Sequence, residues 1–361
     1  HKGQGKLRSL SIAASLISLL WGFGFTAVAV ASEAPDDGDA CAGFGEYSYI
    51  CGPVSAEDLV LIPGTNWVVA SGFGGNVSLY LVDSEQKTWS NFYPAGEPRA
   101  RQDMATYGAC PGSPDPNNFV GHGLNIRPGT GGHSTLYVVG HGEREAIEVF
   151  DVDATGDVPV LTWIGCVMTP DGMQANSVAS LDDGSLLATI PLHTGVHISE
   201  AFVQKQTGAV YEWSPGDAGF TMIEGSELPY ANGIEVSADG QEFYVASSGL
   251  LKVLAFSNSN PTKLLRSSRE LTFIPDNLHM GNGGNLITGG LEMADPVCGD
   301  VPMSLEFDLE EFASCPRPFT VLAVDPQSMQ DSVIASSPAH EHFSNITMAL
   351  EVGTELWIGT F

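Results

Sequence analysis

Positive charge is scarce in this sequence. Lys and Arg number 14 against 43 Asp and Glu, for a formal net charge of −29. Binding to nucleic acid or to an anionic membrane surface needs clustered cations, so both are excluded as principal partners. Other signatures are missing too. No Cys-x-x-Cys pair points to zinc or redox chemistry. No Gly-x-Ser-x-Gly elbow marks a serine hydrolase. The Gly-rich stretch GTGGH at Gly129–His133 lacks the lysine of a phosphate loop and reads as a turn. No dinucleotide fingerprint lies between a strand and a helix. Helical periodicity is nearly absent.

What is present is a turn-rich, strand-forming chain. The 361 residues include 43% hydrophobic residues, 42 Gly and 22 Pro. That composition supports a large core built from many short strands. The N-terminus reads as a targeting segment. Lys2, Lys6 and Arg8 precede an apolar run over residues 10–31 that ends in Ala29-Val30-Ala31. We read residues 1–31 as a secretory signal peptide cleaved near Ala31–Ser32, with an uncleaved membrane anchor as the alternative. Residues 32–55 form a lead-in and residues 56–361 the main domain. The protein is then secreted or periplasmic, with no stable span after cleavage. Six cysteines follow the signal, an even count suited to disulfides in an exported chain. Spacing favours Cys41 with Cys51 and Cys298 with Cys315, leaving Cys110 with Cys166, though sequence leaves the connectivity open. Asn76-Val77-Ser78 and Asn345-Ile346-Thr347 are glycosylation sequons if the host is eukaryotic.

One grammar recurs along the chain: a polar residue, a short apolar strand, a turn, and a second strand ending in small residues. It is seen in AEDLVLIPGTNWVVASG, GHGLNIRPGTGGHSTLYVVGHG, QANSVASLDDGSLLATIP, YANGIEVSADGQEFYVASS, PDNLHMGNGGNLITGG and SNITMALEVGTELWIGTF. A repeat of about 45–70 residues is the range of propeller blades. About six units predict an all-β, six-bladed β-propeller. The innermost strand of each blade lines a central channel, and the polar residue at its start points to the axis. Glu57, Asn176, Asn232, Asp276 and Asn277 occupy equivalent places in four of the repeats. Each alone reads as a turn residue, because Asn and Asp satisfy local backbone groups. Their repetition instead points to carboxylate and amide oxygens converging on a central-channel Ca2+, which takes about six to eight hard oxygen ligands.

These pieces, running in order from Ala56 to Phe361, resemble the paraoxonase/arylesterase family, calcium-dependent propeller hydrolases related to the gluconolactonase-like enzymes. The resemblance implies a catalytic calcium held by Glu57, Asn176, Asn232, Asp276 and Asn277. It implies a histidine dyad, with His122 of GHG as general base and His141 of VVGHG supporting it. It also implies small-molecule substrates: lactones, aryl esters and, promiscuously, organophosphate triesters. A second, structural calcium would use Asp58, the backbone carbonyl of Leu124 and an aspartate where this chain has Ser177, so that ion is expected to be weak or absent. The sequence also stops at Phe361 without the family's closing cysteine; its last is Cys315.

The expected activity is thus hydrolysis of a lactone or aryl ester by histidine-activated water at a metal-polarised carbonyl. Two alternatives remain: a gluconolactonase-like sugar-lactone hydrolase for which the histidines are dispensable, and a non-catalytic, calcium-stabilised binding module. His193 and His197 are expected near the substrate entrance. Trp163 and Trp213 are read as packing residues that could wall a pocket. Specificity is expected in the loops Asn91–Phe119 and Leu192–Thr207. Oligomeric state is not legible.

Overall fold

The computed structural model describes residues 26–30, as backbone only, and residues 41–361. Five sheets are antiparallel meanders of consecutive strands. The first blade comprises Leu59–Leu61, Trp67–Ser71, Leu79–Asp83 and Thr88–Tyr93. The second comprises Phe119–Pro128, His133–Gly142, Ala146–Asp153 and Val160–Met168, with Arg99–Ala100 added parallel at its outer edge. The third contains Val178–Ser180, Leu186–Ile190, Ala209–Trp213 and Thr221–Met222. The fourth contains Ala231–Val236, Glu242–Ser247, Lys252–Ser257 and Leu264–Ser267. The fifth contains Leu278–Met280, Leu286–Leu291, Phe319–Val324 and Asp331–Ser337.

The architecture is thus an all-β propeller, with five regular blades where the sequence led us to expect six. A further sheet stands between the fifth and first blades. It joins the C-terminal hairpin Ile346–Val352 and Glu355–Thr360 to Thr26–Val30 and Ser48–Ile50. It is mixed, because Thr26–Val30 runs parallel to both its neighbours. N-terminal residues supply the outer strands beside the C-terminal hairpin. The apolar run assigned to the signal peptide lies outside the described residues except for Thr26–Val30. Cleavage after Ala31 would remove that strand from the sheet. Among the described residues no helix is long and apolar enough to cross a membrane.

Local chemistry explains the blades. Apolar residues alternate between clusters that fill the gaps between neighbouring sheets. Leu79, Leu124, Tyr137 and Phe150 are fully buried in one cluster, and Phe243, Val245 and Phe256 in another. The turn in the opening of the fourth blade is set by Ala238-Asp239-Gly240. Gly240 has φ +67°, which glycine adopts without strain. The Asp239 carboxylate accepts from the amide of Gln241 at 3.1 Å. Three disulfides, Cys41–Cys51, Cys110–Cys166 and Cys298–Cys315, match the spacing-based pairing and indicate an oxidising compartment.

Inner strands begin on one face of the ring, and the connections between second and third strands of each blade stand on that same face. Two of these connections are long, residues 191–208 and 292–318. They meet through stacked Phe202 and Phe307, whose ring centroids are 3.7 Å apart. The second was not anticipated from sequence; its arginine, Arg317, is buried and donates to the carbonyl of Gly299 at 2.9 Å.

Candidate active site

Bulges aim the site residues into the channel. In the second blade the pairing of the two inner strands shifts register between Gly121 and Leu124. In the fourth it shifts between Ala231 and Ile234. His122 and Asn232 are the residues thrown out of the ladder, as bulges re-aim side chains beside functional sites. Each is followed by a glycine for a steric reason. A Cβ on Gly123 would lie 2.4 Å from the carbonyl oxygen of Asn176, and one on Gly233 would lie 2.5 Å from the amide nitrogen of Leu278. The glycines let neighbouring inner strands pass close enough to bring their polar residues together.

Glu57, Asn176, Asn232 and Asn277 are buried, and Asp276 is half-buried. The Asn277 side-chain amide donates to Glu57 Oε1 at 2.7 Å, across 220 residues of sequence. Ser248 Oγ donates to the carbonyl of Pro275 at 2.8 Å and therefore accepts from Asn232 Nδ2, at 3.1 Å. These contacts fix which amide atom faces where in Asn232 and Asn277. Four oxygens are then left buried with no donor: Glu57 Oε2, Asn176 Oδ1, Asn232 Oδ1 and Asn277 Oδ1. Buried polar atoms are rarely left unpaired, and each costs about 1–3 kcal/mol. Burial, then the neighbouring Glu57 carboxylate, hold the Asp276 carboxyl well above its usual range, with His122 and then the Asn232 side chain opposing. Carboxylate and amide oxygens with no donors suit a hard divalent cation such as Ca2+. Among the described residues there is no cluster of three or more His, Cys, Asp or Glu spaced to hold a metal. The candidate ligand set among the described residues is rich in amides.

The histidines stand beside this group. His122 Nδ1 and His141 Nε2 are 2.9 Å apart. His122 Nε2 lies 3.5 Å from Glu57 Oε1. The Phe73 ring stacks on His122 at 4.3 Å. Burial lowers the His122 pKa, but the Glu57, Asp276 and Asp58 charges outweigh it and hold the imidazole above its usual value. Glu145, which the sequence reading missed, accepts from His141 Nδ1 at 2.5 Å.

Asp58 is differently engaged. Its Oδ1 accepts from the amide of Leu59 at 2.8 Å and faces His279 Nε2 at 2.6 Å. Its Oδ2 accepts from the amide of Leu124 at 2.7 Å, so Leu124 presents its N–H to this carboxylate. Burial lowers the His279 pKa, but Asp58 and then Glu235 outweigh it and raise it to about 9. His279 thus stands against Asp58 where the sequence reading allowed a second ion, while burial raises the Asp58 carboxyl above its usual range. Ser177 is buried and its backbone pairs with Thr189.

Other expectations resolve into structure. His197 caps the short 3-10 helix Ile198–Val203, accepting from the amide of Ser199 at 3.2 Å. His193 Nε2 lies 3.2 Å from the Tyr211 hydroxyl. Trp163 and Trp213 are buried packing residues. The indole of Trp163 donates to Glu148 at 2.7 Å, and Trp213 stacks on Tyr107 at 5.6 Å. Of the sequons, Asn76 is exposed and Asn345 half-buried.

No family model matches the sequence, and no curated protein matches it. Solved structures do. A luciferin-regenerating enzyme superposes with a TM-score of 0.51 at 12% identity, covering 86% of this chain and 85% of its own. A regucalcin from Agrobacterium tumefaciens, described as a calcium-binding protein, gives 0.48 at 10% identity, with 84% and 80% covered. A gluconolactonase from Xanthomonas campestris gives 0.48 at 16% identity, with 84% of each chain covered. At such identities the likeness to the first concerns the propeller fold alone, and nothing is built on the other two. The paraoxonase/arylesterase resemblance rests on the motifs.

Proposed function

We propose that this chain is an exported, calcium-dependent hydrolase of lactones or aryl esters, and that its mixed sheet serves as the sixth blade. The observation that supports this most is the set of four donorless buried oxygens beside Asp276, set against the paired His122 and His141. Glu57, Asn176, Asn232, Asp276 and Asn277 would hold one Ca2+. Bound there, the ion would polarise a substrate carbonyl and stabilise the developing oxyanion. His122 takes the proton of the attacking water at Nε2, the nitrogen not engaged by His141. Phe73 covers the face of the base and limits its access to bulk water. Asp58 is satisfied by Leu59, Leu124 and His279, which supports a single ion. The disulfides support export.

The test is hydrolysis of a lactone and aryl-ester panel by the purified chain, stripped with EDTA and then titrated with Ca2+. Turnover that disappears on stripping and returns with the ion is expected. Absence of turnover with retained calcium binding would replace the hydrolase by a calcium-stabilised binding module.

A further inference from the structure

We infer that Glu145 is a positioning residue that fixes the tautomers of both histidines, so that the dyad works as a Glu145–His141–His122 relay. This rests on the hydrolase reading above. Glu145 stands in the short turn after the strand His133–Gly142, four residues beyond His141. Its backbone is anchored, because its carbonyl accepts from both the amide and the hydroxyl of Thr169, each at 3.1 Å. The far carboxylate oxygen lies 3.5 Å from the Gln174 amide nitrogen. The carboxylate therefore has one strong partner, His141 Nδ1 at 2.5 Å. The side chains of His141 and Glu145 are only 10% and 15% exposed, so water competes poorly for that contact.

The proton assignments follow in sequence. A carboxylate only accepts, so the proton on His141 sits on Nδ1. His141 Nε2 then carries a lone pair. It faces His122 Nδ1 at 2.9 Å, and two lone pairs cannot share that distance. His122 must place its proton on Nδ1. In the neutral dyad its Nε2 is left unprotonated on the side of Glu57 and the candidate ligands. In a neutral imidazole the bond made by one nitrogen sets the state of the other, and here one carboxylate sets two rings in series. When water is activated, its proton goes to His122 Nε2 and its oxygen to the substrate carbonyl. The resulting imidazolium donates from Nδ1 to His141, whose Nδ1–H remains on Glu145. No proton is lost from the relay. Phe73 packs on His122 and stands edge-on to His141 at 6.1 Å, shielding their contact.

Glu145→Gln keeps shape and reverses polarity. A glutamine amide would donate to His141 Nδ1, moving that ring's proton to Nε2 and His122's proton to its own Nε2. The base would then be capped. Exchange of a carboxylate for its amide behind a catalytic histidine lowers turnover by about 10⁴-fold where the histidine is the only base. A loss of about 10²–10⁴-fold in kcat is expected, with KM and the calcium-induced thermal shift unchanged. Nitrogen-15 NMR of histidine-labelled, full-length protein reads the tautomers without any substrate. The wild type is expected to show Nδ1–H on both rings, and Glu145→Gln to show Nε2–H. Wild-type His141 protonated at Nε2, or a Glu145→Gln enzyme within threefold of wild type beside an inactive His122→Gln, would overturn the relay. Full activity of His122→Gln would instead overturn the histidine base, while the wild-type NMR signature would still decide the role of Glu145.

Discussion

Replacing Asp276 by asparagine should stabilise the protein without calcium and destabilise it with calcium. In the unfolded chain this carboxyl ionises near 3.8, whereas burial and Glu57 raise it well above that in the fold. As pH rises from the first value to the second, the unfolded chain sheds a proton that the fold retains. Stability falls over that window and the loss is complete above the raised pKa. Above the raised pKa the ionised Asp276 thus opposes folding, as two carboxylates held together without a cation must. A tenfold change in proton affinity between the two states corresponds to about 1.4 kcal/mol. Asp276 is half-buried, so solvent screens part of that cost. An asparagine removes the charge and keeps the oxygen. With an unfolding entropy of about 2.1 cal/mol/K per residue, a chain of this length shifts its Tm by only about 1–2 °C per kcal/mol. Asp276→Asn should therefore melt above wild type in EDTA at about pH 8, by about 2 °C for each tenfold difference in proton affinity, the gap narrowing toward about pH 4. Calcium at about 100 times its Kd adds about 2.7 kcal/mol to wild type. The variant loses a charged ligand and most of that gain, so the order of Tm values inverts. Differential scanning fluorimetry at matched protein concentration, with EDTA or calcium across the pH series, measures all four cases. A variant that melts below wild type in EDTA at every pH would refute the like-charge argument. Equal calcium responses would remove Asp276 from the ligand set.

Two other outcomes follow from the same channel. Gly233→Ala should cost about 1–3 kcal/mol by forcing apart backbones that its Cβ would approach at 2.5–2.6 Å, and it should abolish the calcium-induced thermal shift; circular dichroism melts with and without calcium check both. Isothermal titration of EDTA-stripped protein should give one equivalent of calcium, because Asp58 already faces His279 and two backbone amides; two equivalents would show that the histidine yields its place to an ion.

The sequence made visible what repeats and hid what does not. Asn176 and Asn232 could be read because the same small polar residue opens successive inner strands, and a ring turns repetition along the chain into convergence at the axis. The glycine after His122 and the one after Asn232 belonged to the same signal, since a bulge that must let a neighbouring strand pass has no room for a Cβ. The blade count was harder. The last sheet recruits Ser48–Ile50 and Thr26–Val30, and pairing between chain segments hundreds of residues apart leaves no local pattern. Glu145 was invisible for a different reason. An acidic residue in a Gly-Glu-Arg-Glu turn of a chain carrying −29 charges is an ordinary solvated side chain by composition. Only the return of the strand over His141 makes it a hydrogen-bond partner at 2.5 Å. His279 was hidden likewise. Two residues beyond Asn277 it reads as a strand position, and its inward direction follows from the period-2 alternation that carries Asn277 inward as well. That alternation argues the case further. Asn277 and His279 face the axis at successive depths, the first reaching Glu57 and the second Asp58. Adjacent carboxylates just before one inner strand are thus met by alternate positions at the start of another. The upper pair leaves oxygens without donors, and the lower pair sets an imidazole against the carboxylate. The same segment therefore builds one level of the channel whose oxygens lack donors and one where a histidine meets the carboxylate.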